Sequence, residues 1–186
     1  MNKEEKEFKE KMLNLDNIYE LISLKKTMTS KEVLAIIGVE EFLRMYNSIP
    51  KECAIISINE KYSKEDLKKY GDNSVKEEVL RKFDSFLKIS FHDTFKEDTS
   101  VEAISDDEVK QIAEFIYNNK NKQFLIHCGA GMSRSAAVGK AILLWSRNLN
   151  YNETTEVDNH YRYIPNKLVL KKLFIALKTL NVSDHL

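Results

Sequence analysis

The chain of 186 residues contains only two cysteines, two prolines, five glycines and one tryptophan, and its formal net charge at pH 7 is zero. Two cysteines far apart in sequence do not make the disulfide framework of a small secreted protein. The lack of basic excess argues against a nucleic-acid partner, and no apolar run approaches the roughly 20 residues that cross a membrane. The Lys/Glu-rich N-terminus lacks the apolar core of a signal peptide. We therefore expect a cytoplasmic protein with neither nucleic acid nor membrane as a partner.

The remaining composition, 42% hydrophobic and 31% charged, is typical of a soluble globular protein with a sizeable core. Apolar residues recur at spacings of three and four over residues 4–24, which predicts an amphipathic helix. We expect residues 1–28 to form an N-terminal helical extension and residues 29–186 to form one domain. The apolar stripe of the extension packs either on that domain or on a dimer or partner helix, and the sequence leaves this choice and the oligomeric state open.

Within the main domain, short apolar segments alternate with helical patterns. Strands are predicted over residues 33–37, 53–58, 87–93 and 123–126, and helices over residues 40–47, 136–144 and 166–180. A further helix begins after Ser105, which forms a capping box with Glu108. This order of elements predicts an α/β fold with a central, mainly parallel sheet flanked by helices.

The most informative segment is the run His127-Cys128-Gly129-Ala130-Gly131-Met132-Ser133-Arg134-Ser135 between a predicted strand and a predicted helix. Unpaired N–H groups and the helix dipole at such a junction bind anions and favour a cysteine thiolate. Cys128 is therefore the candidate nucleophile. The planar guanidinium of Arg134 can bind two phosphate oxygens at once.

The other residues of this run have supporting roles in the same hypothesis. Gly129 and Gly131 let the main chain approach the phosphate and adopt positive φ where the loop requires it. Ser135 can donate a hydrogen bond to the cysteine sulfur and so help it leave. His127 is expected to orient the loop through hydrogen bonds rather than to bind a metal.

The pattern His-Cys-x5-Arg-Ser resembles the active-site loop of the cysteine-dependent protein phosphatases, most closely the compact dual-specificity branch. The segment Asn159–Val169 resembles the one that leads into the last helix of small bacterial and phage relatives. The resemblance implies hydrolysis of phosphotyrosine, and of phosphoserine and phosphothreonine, through a cysteinyl-phosphate and without a metal or other cofactor. The implied partner is a phosphorylated protein or peptide. The implied phosphate-binding residues are Gly129, Ala130, Gly131, Met132, Ser133 and Arg134.

In this family an upstream aspartate protonates the leaving oxygen. Asp93 ends a predicted strand 35 positions before Cys128, and Asp98 lies 30 positions before it in a polar segment. We favour Asp93 because a strand end holds a side chain more firmly than a polar loop does. Residues 59–82 are predicted to be a solvated loop with short helical pieces and without a chemical motif.

The sequence leaves two alternatives to a phosphatase open. A phosphate-recognising scaffold of the same fold would share the loop but have weak catalysis. Residues 28–39 also resemble the first helix and turn of a helix-turn-helix DNA-binding module. The following segment, however, is acidic at Glu40 and Glu41 and lacks the polar cluster of a recognition helix.

The loop also bears on substrate class, because residues 129–133 carry no positive charge. Relatives that act on inositol phospholipids carry lysines at these positions, so we expect little activity on phosphoinositides. A chain of this length lacks the extra segments that build a deep phenol slot, which predicts a shallow pocket open to phosphoserine and phosphothreonine. Met132 at the rim can favour an aromatic ring through its sulfur.

Overall fold

The computed structural model describes residues 29–62, 74–95 and 102–183, together with Glu65, Lys68 and Lys69. The predicted N-terminal helix over residues 4–24 and the alternative acid Asp98 lie outside the described residues. The four strands are β1 (Val33–Gly38), β2 (Ala54–Asn59), β3 (Ser85–Ser90) and β4 (Phe124–Cys128). The helices are α1 (Val39–Met45, followed by a 3-10 turn over Tyr46–Ser48), α2 (Glu77–Leu80), α3 (Asp106–Asn118), α4 (Arg134–Ser146) and α5 (Lys167–Ser183).

The strands form one sheet in the order β1-β4-β2-β3, and all neighbouring pairs are parallel. The predicted parallel sheet flanked by helices is therefore confirmed. Strand β4 lies inside the sheet, so the loop that follows Cys128 emerges at the middle of its carboxyl edge. Open parallel sheets bind their ligands at this edge.

Both faces of the sheet are covered, which explains the continuous apolar strand sequences. Side chains alternate along each strand. In β4, Phe124, Ile126 and Cys128 pack in the core beneath α3, α4 and α5, whereas Leu125 packs in the core on the α1 side. Within the described ranges, no helix is both long and apolar enough to span a bilayer.

Local sequence explains how two of the helices are placed. At α3 the Ser105 hydroxyl accepts a hydrogen bond from the Glu108 amide at 3.2 Å, and the Glu108 carboxylate accepts one from the Ser105 amide at 2.8 Å. The predicted capping box is therefore confirmed. Helix α4 is buried on nearly every side, and a Cβ at Gly139 would collide with the Ile36 side chain. Glycine at this position lets α4 pack closely on β1.

The helix-turn-helix alternative is wrong. Residues 33–38, which would belong to its first helix and turn, form strand β1, and every residue of that strand is buried. The β-branched and aliphatic side chains of this segment pack on both sides of the sheet. These side chains are therefore not available to contact DNA.

Candidate active site

The Cys128 side chain lies at the carboxyl end of β4, and the residue is only 2% exposed. Its Sγ lies 3.1 Å from the hydroxyl oxygen of Ser135, which is itself fully buried in the first turn of α4. The sulfur therefore sits beneath the N-terminus of a helix, where the helix dipole stabilises a negative charge. Cys53, by contrast, is a buried core cysteine whose pKa is raised to about 11 by burial.

The loop over residues 129–133 directs its carbonyl groups away from its own centre. The carbonyl oxygens of Gly129 and Met132 accept hydrogen bonds from the amides of Val39 and Ile164, and that of Ala130 accepts one from Arg162. None of the amides of residues 129–133 donates a hydrogen bond within the described part of the chain. These N–H groups are therefore left as donors for an anion.

One glycine of this loop is required by its backbone conformation. Gly131 has φ of +70°, which is in the left-handed region that side chains rarely adopt. A Cβ at this position would also collide with the backbone of Ile37 and Gly38. Gly129 does not have a positive φ, and a Cβ there would meet nothing closer than Arg134 Nη2 at 3.8 Å.

Arg134 is the first residue of α4 and is 6% exposed. Its Nη1 donates hydrogen bonds to the carbonyl oxygens of Asn59 at 3.2 Å and Phe91 at 2.7 Å. Its Nη2 lies 2.6 Å from the Glu60 carboxylate. The buried Nε has no hydrogen-bond partner among the described residues. The guanidinium is thus held from one side, while donors on its other side stay available for phosphate oxygens.

Strand β3 ends at Ser90, so the prediction that Asp93 ends this strand is wrong, because residues 91–94 no longer pair in the sheet. Asp93 lies three positions beyond the strand and contacts the same loop. Its Oδ1 accepts hydrogen bonds from the Ser133 hydroxyl at 2.8 Å and from the Asn166 amide at 2.7 Å. Its Oδ2 lies 3.9 Å from Arg134 Nε. Two donors on one oxygen fix the carboxyl group so that its other oxygen is turned toward the arginine and the phosphate-binding loop.

Asn166 links three parts of this site and is fully buried. Besides its bond to Asp93, its amide donates to the carbonyl oxygen of Thr94 at 2.9 Å. Its Oδ1 accepts from the amides of Leu168 and Val169 and so caps α5. The capping role fits the preference for asparagine at this position. The same side chain therefore anchors a helix and the segment that carries Asp93.

The structure gives His127 a different role from the expected one. Both ring nitrogens are buried and have no hydrogen-bond partner among the described residues, and the ring stacks on Phe42 with a centroid distance of 4.3 Å. Because side chains alternate along β4, His127 points to the opposite face of the sheet from Cys128. Complete burial lowers the pKa of His127 to about 3. It is a neutral core residue, and the prediction that it orients the loop by hydrogen bonds is wrong.

Sequence reasoning missed three side chains that the structure brings to the site: Glu60, His92 and Asn166. The Glu60 carboxylate bridges two side chains: Oε2 contacts Arg134 Nη2, and Oε1 lies 3.2 Å from Nδ1 of His92. Residues 59–82 were expected to be a solvated loop without a chemical motif, and Glu60 nevertheless lies against the guanidinium of Arg134. A signal was present, because Glu60 directly follows a predicted parallel strand, and the carboxyl ends of such strands line binding sites.

A cavity of about 200 Å³ opens beside the loop, and its lining includes Gly129, Arg134, Glu60 and Tyr62. A groove of about 390 Å³ lies between α3 and α5, and none of residues 127–135 lines it. In the described ranges, no group of three or more His, Cys, Asp and Glu side chains is arranged to hold a metal ion. Of these two cavities, the smaller one is lined by Arg134 and by Gly129, the residue that follows the candidate nucleophile.

Solved structures with this fold share its arrangement over most of the chain. PTPMT1 in complex with PI(5)P is similar with a TM-score of 0.55 and 18% identity, covering 83% of this chain and 96% of that one. DUSP15 has a TM-score of 0.50 and 19% identity, covering 84% and 94%. The phosphatase domain of Yvh1 from Chaetomium thermophilum has a TM-score of 0.50 and 16% identity, covering 83% and 95%. No curated protein matches the sequence.

The fold is therefore that of the dual-specificity and tyrosine phosphatases. Residues 63–174 match the family of the dual specificity phosphatase catalytic domain, and the chain belongs to this family. The matched range contains Asp93, Cys128, Arg134 and Asn166. Membership makes the chain a phosphatase and agrees with the resemblance drawn from its sequence motif.

Proposed function

We propose that this protein is a phosphoric monoester hydrolase that dephosphorylates phosphotyrosine, and also phosphoserine and phosphothreonine, in proteins through a cysteinyl-phosphate intermediate. The observation that carries the proposal is the set of unpaired donors in the loop that follows Cys128 and at the start of α4. These donors are Arg134 Nε and the amides of residues 129–133. A phosphoryl group bound by them would present its phosphorus atom to the sulfur.

In the first step the Cys128 thiolate attacks phosphorus, an S–P bond forms, and the bond from phosphorus to the leaving oxygen breaks. Arg134 and the loop amides stabilise the charge on the other phosphoryl oxygens in the transition state. The proton on Asp93 passes to the leaving oxygen. The bonds from Ser133 and Asn166 support this role, because they hold one carboxyl oxygen and leave the other facing the arginine.

In the second step the Asp93 carboxylate accepts a proton from water as the water oxygen attacks phosphorus. The S–P bond breaks and the thiolate returns. The contact of 3.1 Å between the Ser135 hydroxyl and the sulfur supports its role as a hydrogen-bond donor that stabilises this leaving thiolate. A fully buried hydroxyl has little competition from water for that task.

A protein substrate is favoured over a phosphoinositide by the charge of the loop. Residues 129–133 contain no lysine or arginine that could bind the additional phosphates of an inositol headgroup. The solved complex of PTPMT1 holds PI(5)P, and its identity to this chain is only 18%. A panel that includes phosphoinositides beside phosphopeptides therefore tests the assignment directly.

The test of the mechanism uses Cys128→Ser and an aryl phosphate. We expect the variant to lose turnover and to keep phosphate binding, because the serine hydroxyl is far less ionised while the amide cradle remains. Orthovanadate should inhibit the wild-type enzyme, and a chelator should leave it active. Turnover retained in Cys128→Ser would contradict the thiolate mechanism.

The scaffold alternative makes a different forecast for the wild-type protein. It requires phosphopeptide binding at the loop with no turnover of either aryl phosphates or phosphopeptides. Arg134→Lys gives a matched check, since one point charge does not replace a bidentate fork, and both binding and turnover should fall. Near-normal kinetics in this variant would place the phosphate elsewhere.

A further inference from the structure

Six large hydrophobic residues in the described part of the chain are well exposed. Four of them lie in the loop over residues 129–133 or in segments that hydrogen bond to the loop or to Asn166. These four, here called the apolar rim, are Phe95 at 56% exposed, Met132 at 38%, Tyr161 at 86% and Ile164 at 61%. Exposed apolar residues gathered in this way mark binding surfaces.

Backbone contacts hold the rim in place around the loop. The Ile164 amide donates to the Met132 carbonyl oxygen at 3.0 Å, so these two members are joined directly. The Tyr161 ring stacks on His160 at a centroid distance of 4.9 Å. On the other side, the hydrogen bond from Asn166 to the Thr94 carbonyl oxygen fixes the residue that precedes Phe95. The rim is thus part of the same framework as the catalytic groups.

Positive charge is scarce in the two segments that carry most of the rim, residues 129–133 and 161–164, where Arg162 is the one lysine or arginine. Arg162 lies between two rim residues, and its Nη2 is 3.3 Å from the Glu41 carboxylate and 3.2 Å from the Ala130 carbonyl oxygen. Residues 129–133 contribute no cation. Surfaces that bind anionic lipid are rich in lysine and arginine. The combination of apolar side chains and a paired arginine fits a protein ligand better.

We propose that the apolar rim binds apolar side chains next to the phosphorylated residue of a protein substrate, an inference that rests on the proposed phosphatase function. Cys128 is 2% exposed, so a phosphorylated side chain must enter the loop while its own main chain stays outside. The neighbouring residues of the substrate then lie over the rim. Burying an apolar side chain there removes apolar area from water and strengthens binding.

The experiment compares two phosphotyrosine peptides, one with leucine on both sides of the phosphotyrosine and one with serine at those positions. For the wild-type enzyme, kcat/KM should be roughly five- to twenty-fold higher for the leucine peptide, mostly through KM, given the usual free energy of burying such side chains. Tyr161→Ser and Ile164→Ser should each reduce this ratio. They should affect phenyl phosphate much less, because it has no flanking residues.

Ile175→Ser is the matched control, since Ile175 is 56% exposed in the groove between α3 and α5 and away from the loop. It should keep the wild-type ratio. Equal kcat/KM for both peptides in an enzyme that hydrolyses phenyl phosphate would overturn the rim proposal alone. Failure to hydrolyse phenyl phosphate would instead overturn the proposed function.

A membrane contact is the competing occupant, and vesicles of phosphatidylcholine and phosphatidylserine test it. The rim proposal forecasts no difference in vesicle co-sedimentation between the wild type and Tyr161→Ser. If that variant loses vesicle binding while its preference for the leucine peptide is unchanged, the rim is a membrane contact and the proposal is wrong.

Discussion

The substitution Asn166→Ser separates the two functions that the structure gives to one buried side chain. Serine is as good an N-cap as asparagine, so the hydroxyl can still accept hydrogen bonds from the amides at the start of α5. It has no amide to donate to Asp93 Oδ1 or to the Thr94 carbonyl oxygen, which now accept at 2.7 and 2.9 Å. The variant should therefore retain the helix and leave Asp93 Oδ1 held by the Ser133 hydroxyl alone.

The size of the effect follows from these contacts. Asp93 is protonated when it acts in the first step, and a hydrogen bond between neutral groups contributes about 0.5–1.5 kcal/mol. Loss of the bond from Asn166 should therefore slow the reaction by roughly 2- to 10-fold for poor leaving groups. Complete removal of the acid in Asp93→Asn sets the limit, at about a hundred- to ten-thousand-fold. The half-buried Thr94 would also lose the hydrogen bond to its carbonyl oxygen, which should lower the free energy of unfolding by about 0.5–1.5 kcal/mol.

The assay is kcat for a series of aryl phosphates whose phenols differ in pKa, because a misplaced acid matters most when the leaving oxygen is basic. The slope of log kcat against leaving-group pKa should be steeper in Asn166→Ser than in the wild type. Asn119→Ser is the control: Asn119 also bonds at a helix end, to the Phe115 carbonyl oxygen, but it lies at the C-terminus of α3. An unchanged slope in a folded Asn166→Ser enzyme would refute the positioning role and leave Asn166 as a cap alone.

Three further expectations concern single side chains. Glu60→Gln removes the carboxylate charge 2.6 Å from the Arg134 guanidinium, so inhibition by inorganic phosphate should weaken roughly tenfold. An unchanged inhibition constant would show that the backbone carbonyls position the arginine without the Glu60 carboxylate. Burial lowers the pKa of His127 to about 3, whereas the pKa in the unfolded chain is near 6.5. As pH falls below about 6.5, the unfolded state therefore binds a proton that the folded state does not, and the free energy of unfolding falls. Between pH 7 and pH 5 the free energy of unfolding, measured in urea, should fall by about 2 kcal/mol more in the wild type than in His127→Phe, and equal losses would contradict the burial argument. Asp93→Asn should lose the basic limb of the pH profile of kcat, whereas Asp98→Asn should change little, and the reverse result would make Asp98 the general acid.

Short-range sequence patterns were sufficient for most elements of this fold. The four predicted strands all form, and the capping box at Ser105 and Glu108 was visible because its two members lie three positions apart. The phosphate-binding run was equally visible, since Cys128, Arg134 and Ser135 fall within one strand-loop-helix segment. Patterns of this kind depend on local geometry, in which sequence spacing determines which groups can meet.

The role of His127 shows where such reasoning fails. Adjacent residues in a strand point to opposite faces, so a histidine next to the candidate nucleophile Cys128 is directed away from the loop and onto Phe42. Because His127 precedes Cys128 in the sequence, it was predicted to hydrogen bond to the loop. In the structure its ring is buried in the core on the α1 side of the sheet.

The sequence by itself determined the nucleophile candidate, the arginine, the strand that precedes Asp93, and the α/β class. Only the tertiary structure decided the strand order β1-β4-β2-β3, the pairing of Glu60 with Arg134, and the hydrogen bond from Asn166 to Asp93. Each of these last two pairs joins residues more than 70 positions apart. Such contacts form because parallel strands bring their carboxyl ends to one edge of the sheet, and no local propensity records which distant side chains will meet there.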